Sequence, residues 1–303
     1  MAMSSEAEAI NETRCASCGI AANDDIKLKN CTACHLVKYC GVKCQRDHRP
    51  KHKRECKKRA AEIRDEILFK QPESSHLGDC PICCLPLALD EKKSVMMACC
   101  SKTICRGCGY TNSMREIEKG LDQRCPFCRY PTPKTKQDAD KDFIKRVEAN
   151  DPVALCKFGN RRLSEGDHVG AIEYLTKAAE LGDVGAHNQL SCNYGKGKCV
   201  QKDIKKAIYH AEQAAIGGDH LARYNLGCVE WENGRKHRAV KHWIIAANLG
   251  DGDSLGALRE CYSEGFISKE DFSATLRAHQ AALDATKSPQ REAGEAFYAN
   301  QSE

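Results

Sequence analysis

Sixteen cysteine and histidine residues, gathered into two short stretches, constrain this chain more than any other feature of its 303 residues. It has 21 cysteines, seven between Cys15 and Cys56, nine between Cys80 and Cys128, and five scattered through the remainder. The opening residues, "MAMSSEAEAIN", carry neither a basic region nor an apolar core, so a secretory signal is not expected. No apolar run approaches the ~18–20 residues of a membrane span. The expected setting is therefore a reducing intracellular compartment, cytoplasm or nucleus, where clustered C-x2-C pairs are metal ligands rather than disulfides. The net charge of +5 is too small to argue for nucleic acid by itself.

In the first stretch the donors run Cys15, Cys18, Cys31, Cys34, Cys40, Cys44, His52 and Cys56. A C-x2-C spacing lets one tight turn aim both sulfurs at one ion. Cys40/Cys44 and His52/Cys56 are spaced to lie one turn apart on the same side of a helix. Zinc takes four sulfur or nitrogen donors in a tetrahedron, so eight donors suit two ions. A segment this short buries too little core to fold alone, and metal binding is expected to supply most of its folding energy. All eight positions match the MYND zinc finger, which the stretch resembles. The resemblance implies interleaved ions, one on Cys15, Cys18, Cys40 and Cys44, the other on Cys31, Cys34, His52 and Cys56. It also implies proline-rich peptide ligands. The family's glutamine is kept as Gln45, but Arg49 stands where a tryptophan usually offers a flat wall to a proline ring. Weak binding of such peptides, or none, is expected. The basic run 46–59 reads as the solvated face of the ligand-bearing helix in preference to a nuclear signal or nucleic-acid patch. No aromatic residues interleave there to stack on bases.

A helix-prone linker, 57–79, leads to the second stretch, 80–129. Cys80/Cys83, Cys105/Cys108 and Cys125/Cys128 are C-x2-C pairs, and the adjacent Cys99 and Cys100 complete eight sulfurs. Cys84 is left as a spare thiol. "CPIC" at the start and "CPFCR" at the end resemble the two ends of a RING finger. The resemblance implies one zinc on Cys80, Cys83, Cys105 and Cys108 and another on Cys99, Cys100, Cys125 and Cys128, which makes four zincs per chain. All-cysteine members have the four-residue gap of "CSKTIC" but usually leave a residue between their third and fourth ligands. Here those ligands are neighbours. Adjacent side chains point apart in a strand, so the loop has to bend; the other nearby donor, His76, lies before the first pair. A RING finger supplies no nucleophile; it holds a ubiquitin-loaded conjugating enzyme in a reactive pose, which is catalysis by positioning. By resemblance Ile82 and Pro126 contact that enzyme, and Arg129 is the linchpin whose planar fork bonds both enzyme and ubiquitin. The alternative is a purely structural finger, and "MREIEKGL", read as a short helix, lacks the tryptophan many active members carry.

After a second linker, 130–151, the pattern changes. "KAAELGD", "QAAIGGD" and "IAANLGD" recur at 177, 213 and 245, each preceded by a related block, "ALCKFG", "AHNQLS" or "ARYNLG". A period near 36 with two helices per unit means an α-solenoid. "YGKGKCVQKDIKKAIYHAEQAA" resembles the Sel-one-like repeat, a relative of tetratricopeptide repeats, over 152–285. Such arrays present a concave protein-binding face. Cys156, Cys192, Cys199, Cys228 and Cys261 lack ligand spacing and read as small packing residues. His187, His210, His220, His237 and His242 form no spaced set and read as solvated or loop residues. The polar tail, 286–303, is expected to fray. The fold class expected is small zinc-stabilised α+β modules followed by an all-α solenoid. The favoured function is a RING-type ubiquitin ligase that recruits a protein or peptide through its repeats. The rival is a non-enzymatic scaffold, and a transcription-linked zinc protein is the weaker alternative. No membrane partner is expected, and nucleic acid is not favoured.

Overall fold

The computed structural model describes residues 13–299. The chain divides into two compact units, Met1–Lys70 and Gln71–Glu303.

In the first unit two-residue strands β1 (Lys29–Asn30) and β2 (Lys38–Tyr39) pair antiparallel, Lys29 opposite Tyr39. A single helix follows, α1 (Val42–Leu68). The expected linker helix is therefore the continuation of the ligand-bearing helix. Its core is made of Cys15, Cys31, Cys34 and Tyr39, too little apolar surface to hold a fold without further cross-links.

The second unit opens with a finger in which β3 (Ser94–Met96) and β4 (Thr103–Cys105) form a hairpin, leading directly into α2 (Arg106–Glu118). The short helix expected at 114–121 therefore starts earlier, at the third cysteine pair. The second expected linker is also helical. Helix α3 (Lys136–Glu148) is capped by Thr135, and its Phe143, Ile144 and Val147 pack against Phe158 and its neighbours.

Eight helices then alternate in antiparallel pairs: α4 (Pro152–Glu165), α5 (His168–Glu180), α6 (Val184–Lys196), α7 (Ile204–Ile216), α8 (His220–Glu232), α9 (Lys236–Asn248), α10 (Gly252–Ser263) and α11 (Lys269–Ala285). The Gly-Asp at the close of each repeat serves the next helix. Asp183, Asp219 and Asp251 accept the backbone N–H of Ala186, Ala222 and Ser254, an N-cap contributing ~1 kcal/mol. Alanines 154, 171, 178, 186, 214, 239 and 246 are fully buried where helices touch. Closest approach needs no side chain at all. A Cβ on Gly227 would lie 2.3 Å from Trp243 Nε1.

The 286–303 expectation is overturned over 289–299, and residues 300–303 lie outside the described residues, as does the opening stretch 1–12. Helix α12 (Pro289–Ala299) does not fray; it packs on α2 of the finger. Gly294 and Gly107 meet backbone to backbone, so that a Cβ on Gly294 would lie 2.8 Å from Gly107 Cα. Tyr110 and Phe297 pack with ring centroids 4.7 Å apart, and Lys93 pairs with Glu295 at 3.0 Å. The anchor is Arg291, 5 % exposed. Its Nη1 donates to Pro86 O (2.6 Å) and Thr286 O (2.9 Å), and its Nη2 to Leu85 O (2.9 Å) and Cys83 Sγ (3.3 Å).

The histidines need correcting too. His242 is fully buried and His220 is 9 % exposed. His187 and His210 face each other on α6 and α7, Nδ1 to Nδ1 at 2.9 Å. Helical spacing, not polarity, decides which face a residue takes. Of the five outlying cysteines, Cys156 and Cys261 are buried among apolar side chains; Cys199 instead lies 3.1 Å from His168 Nδ1.

Candidate metal centres

One local turn recurs at five places. At residues 15–20, 31–37, 80–85 and 125–130, the residue after the second cysteine takes a left-handed backbone: Gly19 (φ 74°), His35 (57°), Cys84 (55°) and Arg129 (62°). In each, that residue's N–H donates to the carbonyl of the first cysteine, at 2.9 Å in the 15–20, 31–37 and 125–130 turns and 2.8 Å in the 80–85 turn. Both sulfurs are thereby turned to one side. Left-handed backbone costs a non-glycine residue ~1–2 kcal/mol, so something in each turn has to offset it.

The fifth turn explains the adjacent cysteines. Ser101 is left-handed (φ 56°) and its N–H donates to Met97 O at 2.8 Å, while Met97 N–H donates to Lys102 O at 2.9 Å. Met97 occupies the place that the first cysteine holds in the other turns. Cys100 is the second cysteine of that template, and Cys99, inside the turn, supplies the remaining sulfur. The bend required by neighbouring ligands is this turn.

The structure brings the sixteen residues together in four groups, with the donor atoms of each group all within 4.8 Å of one another: Cys15, Cys18, Cys40, Cys44; Cys31, Cys34, His52, Cys56; Cys80, Cys83, Cys105, Cys108; and Cys99, Cys100, Cys125, Cys128. Sulfur separations are 3.7 Å for Cys18–Cys40, 3.8 Å for Cys31–Cys56, 3.9 Å for Cys83–Cys105, 3.4 Å for Cys99–Cys128 and 3.9 Å for Cys100–Cys125. All are far beyond the ~2.05 Å of a disulfide. They match the edge of a tetrahedron whose sulfurs each lie ~2.3 Å from a central zinc, about 3.8 Å. His52 Nε2 completes its group 3.2 Å from Cys34 Sγ. Cys84 belongs to none of the groups and is exposed.

The thiols differ sharply in acidity. Burial raises Cys15, but N–H groups of Cys18, Cys40 and Ser17 outweigh it and bring it down to about 6. Burial, and then the Cys31 thiol beside it, pushes Cys56 up to about 12. Burial pushes Cys100 up to about 11 and Cys99 beyond the usual thiol range, each against the sulfurs of Cys125 and Cys128. Four thiolates cannot crowd together uncompensated. A dication at the centre removes that conflict, so the donor sets fit zinc.

Along α1 runs a groove of about 380 Å³ walled by Tyr39, Val42, Gln45, Arg49, Lys53 and Lys57. Arg49 lines it directly. In the second unit Ile82 is 39 % exposed, Pro126 is half-buried and Arg129 is exposed. Two of these stand on equivalent turns, Ile82 inside the turn at 80–85 and Arg129 at the left-handed position of the turn at 125–130. The α12 contacts fall on Lys93, Arg106, Gly107, Tyr110, the backbone at 85–86 and the Cys83 sulfur, the last two in the turn that carries Ile82.

The family model for the MYND finger matches residues 15–56. That for the Sel1 repeat matches 158–183, 184–219 and 220–251. The chain is 37 % identical over 60 residues to a protein of Ostreid herpesvirus 1 (isolate France) that is named for a RING finger, 20 % of this chain and 25 % of that protein. It thus spans a quarter of that relative's length. Among solved structures it is similar to a Sel1 repeat protein from Oxalobacter formigenes, with 26 % identity, a TM-score of 0.42, and coverage of 59 % of this chain and 72 % of that one. A protective antigen of uropathogenic Escherichia coli strains with an SLR fold gives 24 % identity and a TM-score of 0.41, covering 48 % of this chain and 33 % of that one. No helix among the described residues is long and apolar enough to cross a membrane. The chain is a zinc-binding, protein-interaction protein that carries a MYND finger, a second finger of RING-like kind and Sel1 repeats.

Proposed function

We propose that this protein is a RING-type ubiquitin ligase that holds four zincs on the sixteen clustered donors and recruits its substrate through the Sel1 repeats. The observation that carries the reading is the exposure of Ile82 and Arg129 on equivalent turns of the finger. Ile82 and Pro126 offer apolar contact to a conjugating enzyme. Arg129, with its fork of donors free of the finger's own core, holds the loaded enzyme and ubiquitin together. Proximity and orientation are then the whole of the catalysis, and no side chain of the finger needs to exchange a proton or form a bond. The protein works inside the cell, where the free thiols persist.

The test is discharge of ubiquitin-loaded conjugating enzymes by the wild type, Arg129→Ala and Ile82→Ala, with zinc content measured for each. Arginine and alanine bear the same left-handed penalty at 129, so the fold and zinc content stay unchanged. Arg129→Ala slows discharge far more than it weakens binding, because the loss falls on transition-state geometry. Ile82→Ala weakens binding itself. No acceleration by wild type with any conjugating enzyme in a broad panel refutes the ligase reading and leaves a scaffold of three binding modules.

A further inference from the structure

His76, the donor that precedes the second finger, takes no part in the cysteine groups. It meets Asp219 and His220 of the solenoid instead, and the three present ligand atoms all within 4.8 Å of one another. Their elements hold them there tightly. Gly218, left-handed at φ 89°, passes so close to residues 74–76 that a Cβ on it would lie 2.8 Å from Ser74 O, and its carbonyl accepts the His76 N–H at 3.2 Å. This brings the His76 ring against the start of α8, the two imidazoles stacked with centroids 6.4 Å apart.

Asp219 and His220 are buried and His76 partly so, and several of their polar atoms are unused. His220 is 9 % and Asp219 2 % exposed. Neither His76 Nδ1 nor His220 Nδ1 has a hydrogen-bond partner. His76 Nε2 stands 3.9 Å from Asp219 Oδ2, and His220 Nε2 stands 3.9 Å from Asp251 Oδ1, both too long for a hydrogen bond. Asp219 spends Oδ1 on capping Ala222 N–H, which leaves Oδ2 on the histidine side. Nor does the repeat itself call for this histidine. Val184 and Gly252 hold its place after the capping aspartate in the neighbouring copies. Leaving buried imidazole nitrogens unpaired costs ~1–3 kcal/mol each, and a cluster that bears this cost beside two carboxylates is one that gains from a cation.

We propose that His76, Asp219 and His220 form a further metal site, for a divalent transition ion of the zinc class. Two imidazoles and a carboxylate suit such an ion, whereas calcium and magnesium favour all-oxygen sets. Asp251 Oδ1 stands 3.9 Å from His220 Nε2, placed to accept that N–H once the donors close on an ion, as carboxylates beside ligating histidines do. Loading draws the donors together by up to about 1.5 Å to reach zinc–nitrogen and zinc–oxygen lengths. His76 moves most easily, being on a loop. The ion clips the segment before the second finger to the junction of the second and third matched repeats, with no thiol involved.

The test is zinc content of the full chain after dialysis against metal-free buffer with excess zinc removed, for wild type, His76→Ala and His220→Asn. Helical circular dichroism and total free thiols are measured on each. The wild type retains one equivalent more than either variant, at equal helicity and thiol count. The difference between proteins is the readout, so it stands whatever number of ions the cysteine groups hold. Should His220→Asn misfold, His76→Ala, which alters only a loop side chain, decides alone. Equal zinc in wild type and His76→Ala overturns the site and leaves an imidazole–carboxylate cluster without metal.

Discussion

Replacing Arg291 by methionine keeps most of the side chain's hydrocarbon and removes its donors. The buried guanidinium serves Pro86 O, Thr286 O, Leu85 O and Cys83 Sγ. Leu85 O keeps a second donor, Cys80 N–H at 2.9 Å; the other two carbonyls lose theirs. Thr286 lies at the end of α11, so the hold on the finger is the orphaned Pro86 O, ~1–3 kcal/mol, with the lost bonds to Leu85 O and Cys83 Sγ at ~0.5–1.5 kcal/mol each, about 3 kcal/mol together. That is a factor of about 150 in the equilibrium between docked and undocked helix. Hydrogen exchange at the amides of 295–299 reads this opening directly. They exchange about 100-fold faster in Arg291→Met, while the amides of α8 and α9 are unaffected. Arg291→Lys restores only part of the protection, because an ammonium cannot span four acceptors set out for a planar fork. A change of less than threefold in Arg291→Met refutes the view that this residue is the anchor, and places the hold in the Gly107–Gly294 contact and the Tyr110–Phe297 pair.

Zinc binding to the isolated apo-protein depends steeply on pH. Cys99 is pushed above the usual thiol range and Cys100 up to about 11, chiefly by burial, so metal displaces at least two protons from their group, and apparent affinity rises about 100-fold per pH unit between pH 5 and 8. A chelator-competition titration that finds a slope near zero contradicts this. Gly227→Ala places a methyl against the Trp243 indole and destabilises the solenoid by ~1–3 kcal/mol despite alanine's better helix propensity; a thermal melt at or above the wild-type midpoint refutes the contact. Cys84→Gly relieves a left-handed residue that belongs to no cysteine group. It stabilises the finger by ~1 kcal/mol with zinc content unchanged, and loss of a zinc equivalent shows Cys84 to be a ligand.

The C-x2-C pairs were legible because a ligand pair is a local object, fixed by a turn of six residues. The repeats were legible because helical period and Gly-Asp caps recur in the sequence. The role of Met97 was not, since only the hydrogen bonds of the turn reveal that a methionine sits where a first cysteine is expected. His76 and His220 are 144 positions apart and share no motif. The 289–299 stretch looked polar because its docking residues include Arg291, Gly294 and Glu295 beside Phe297 and Tyr298. An arginine and a glycine on that face read as solvent-exposed until the carbonyls and the facing Gly107 are known.

Arg291 and Cys83 lie 208 residues apart. At ~5–20 residues per second of synthesis, roughly 10–40 s separate the emergence of the two. Each cysteine turn is local and can take up metal as soon as it is made. The strap that closes over residues 83–107 cannot form until the whole solenoid has followed. A growing or interrupted chain therefore carries a second finger with its turns folded and its α2 face bare, apolar Tyr110 included. That surface vanishes once α12 is made and docks, and it distinguishes chains without α12 from chains that have it for any chaperone or protease that reads exposed apolar surface.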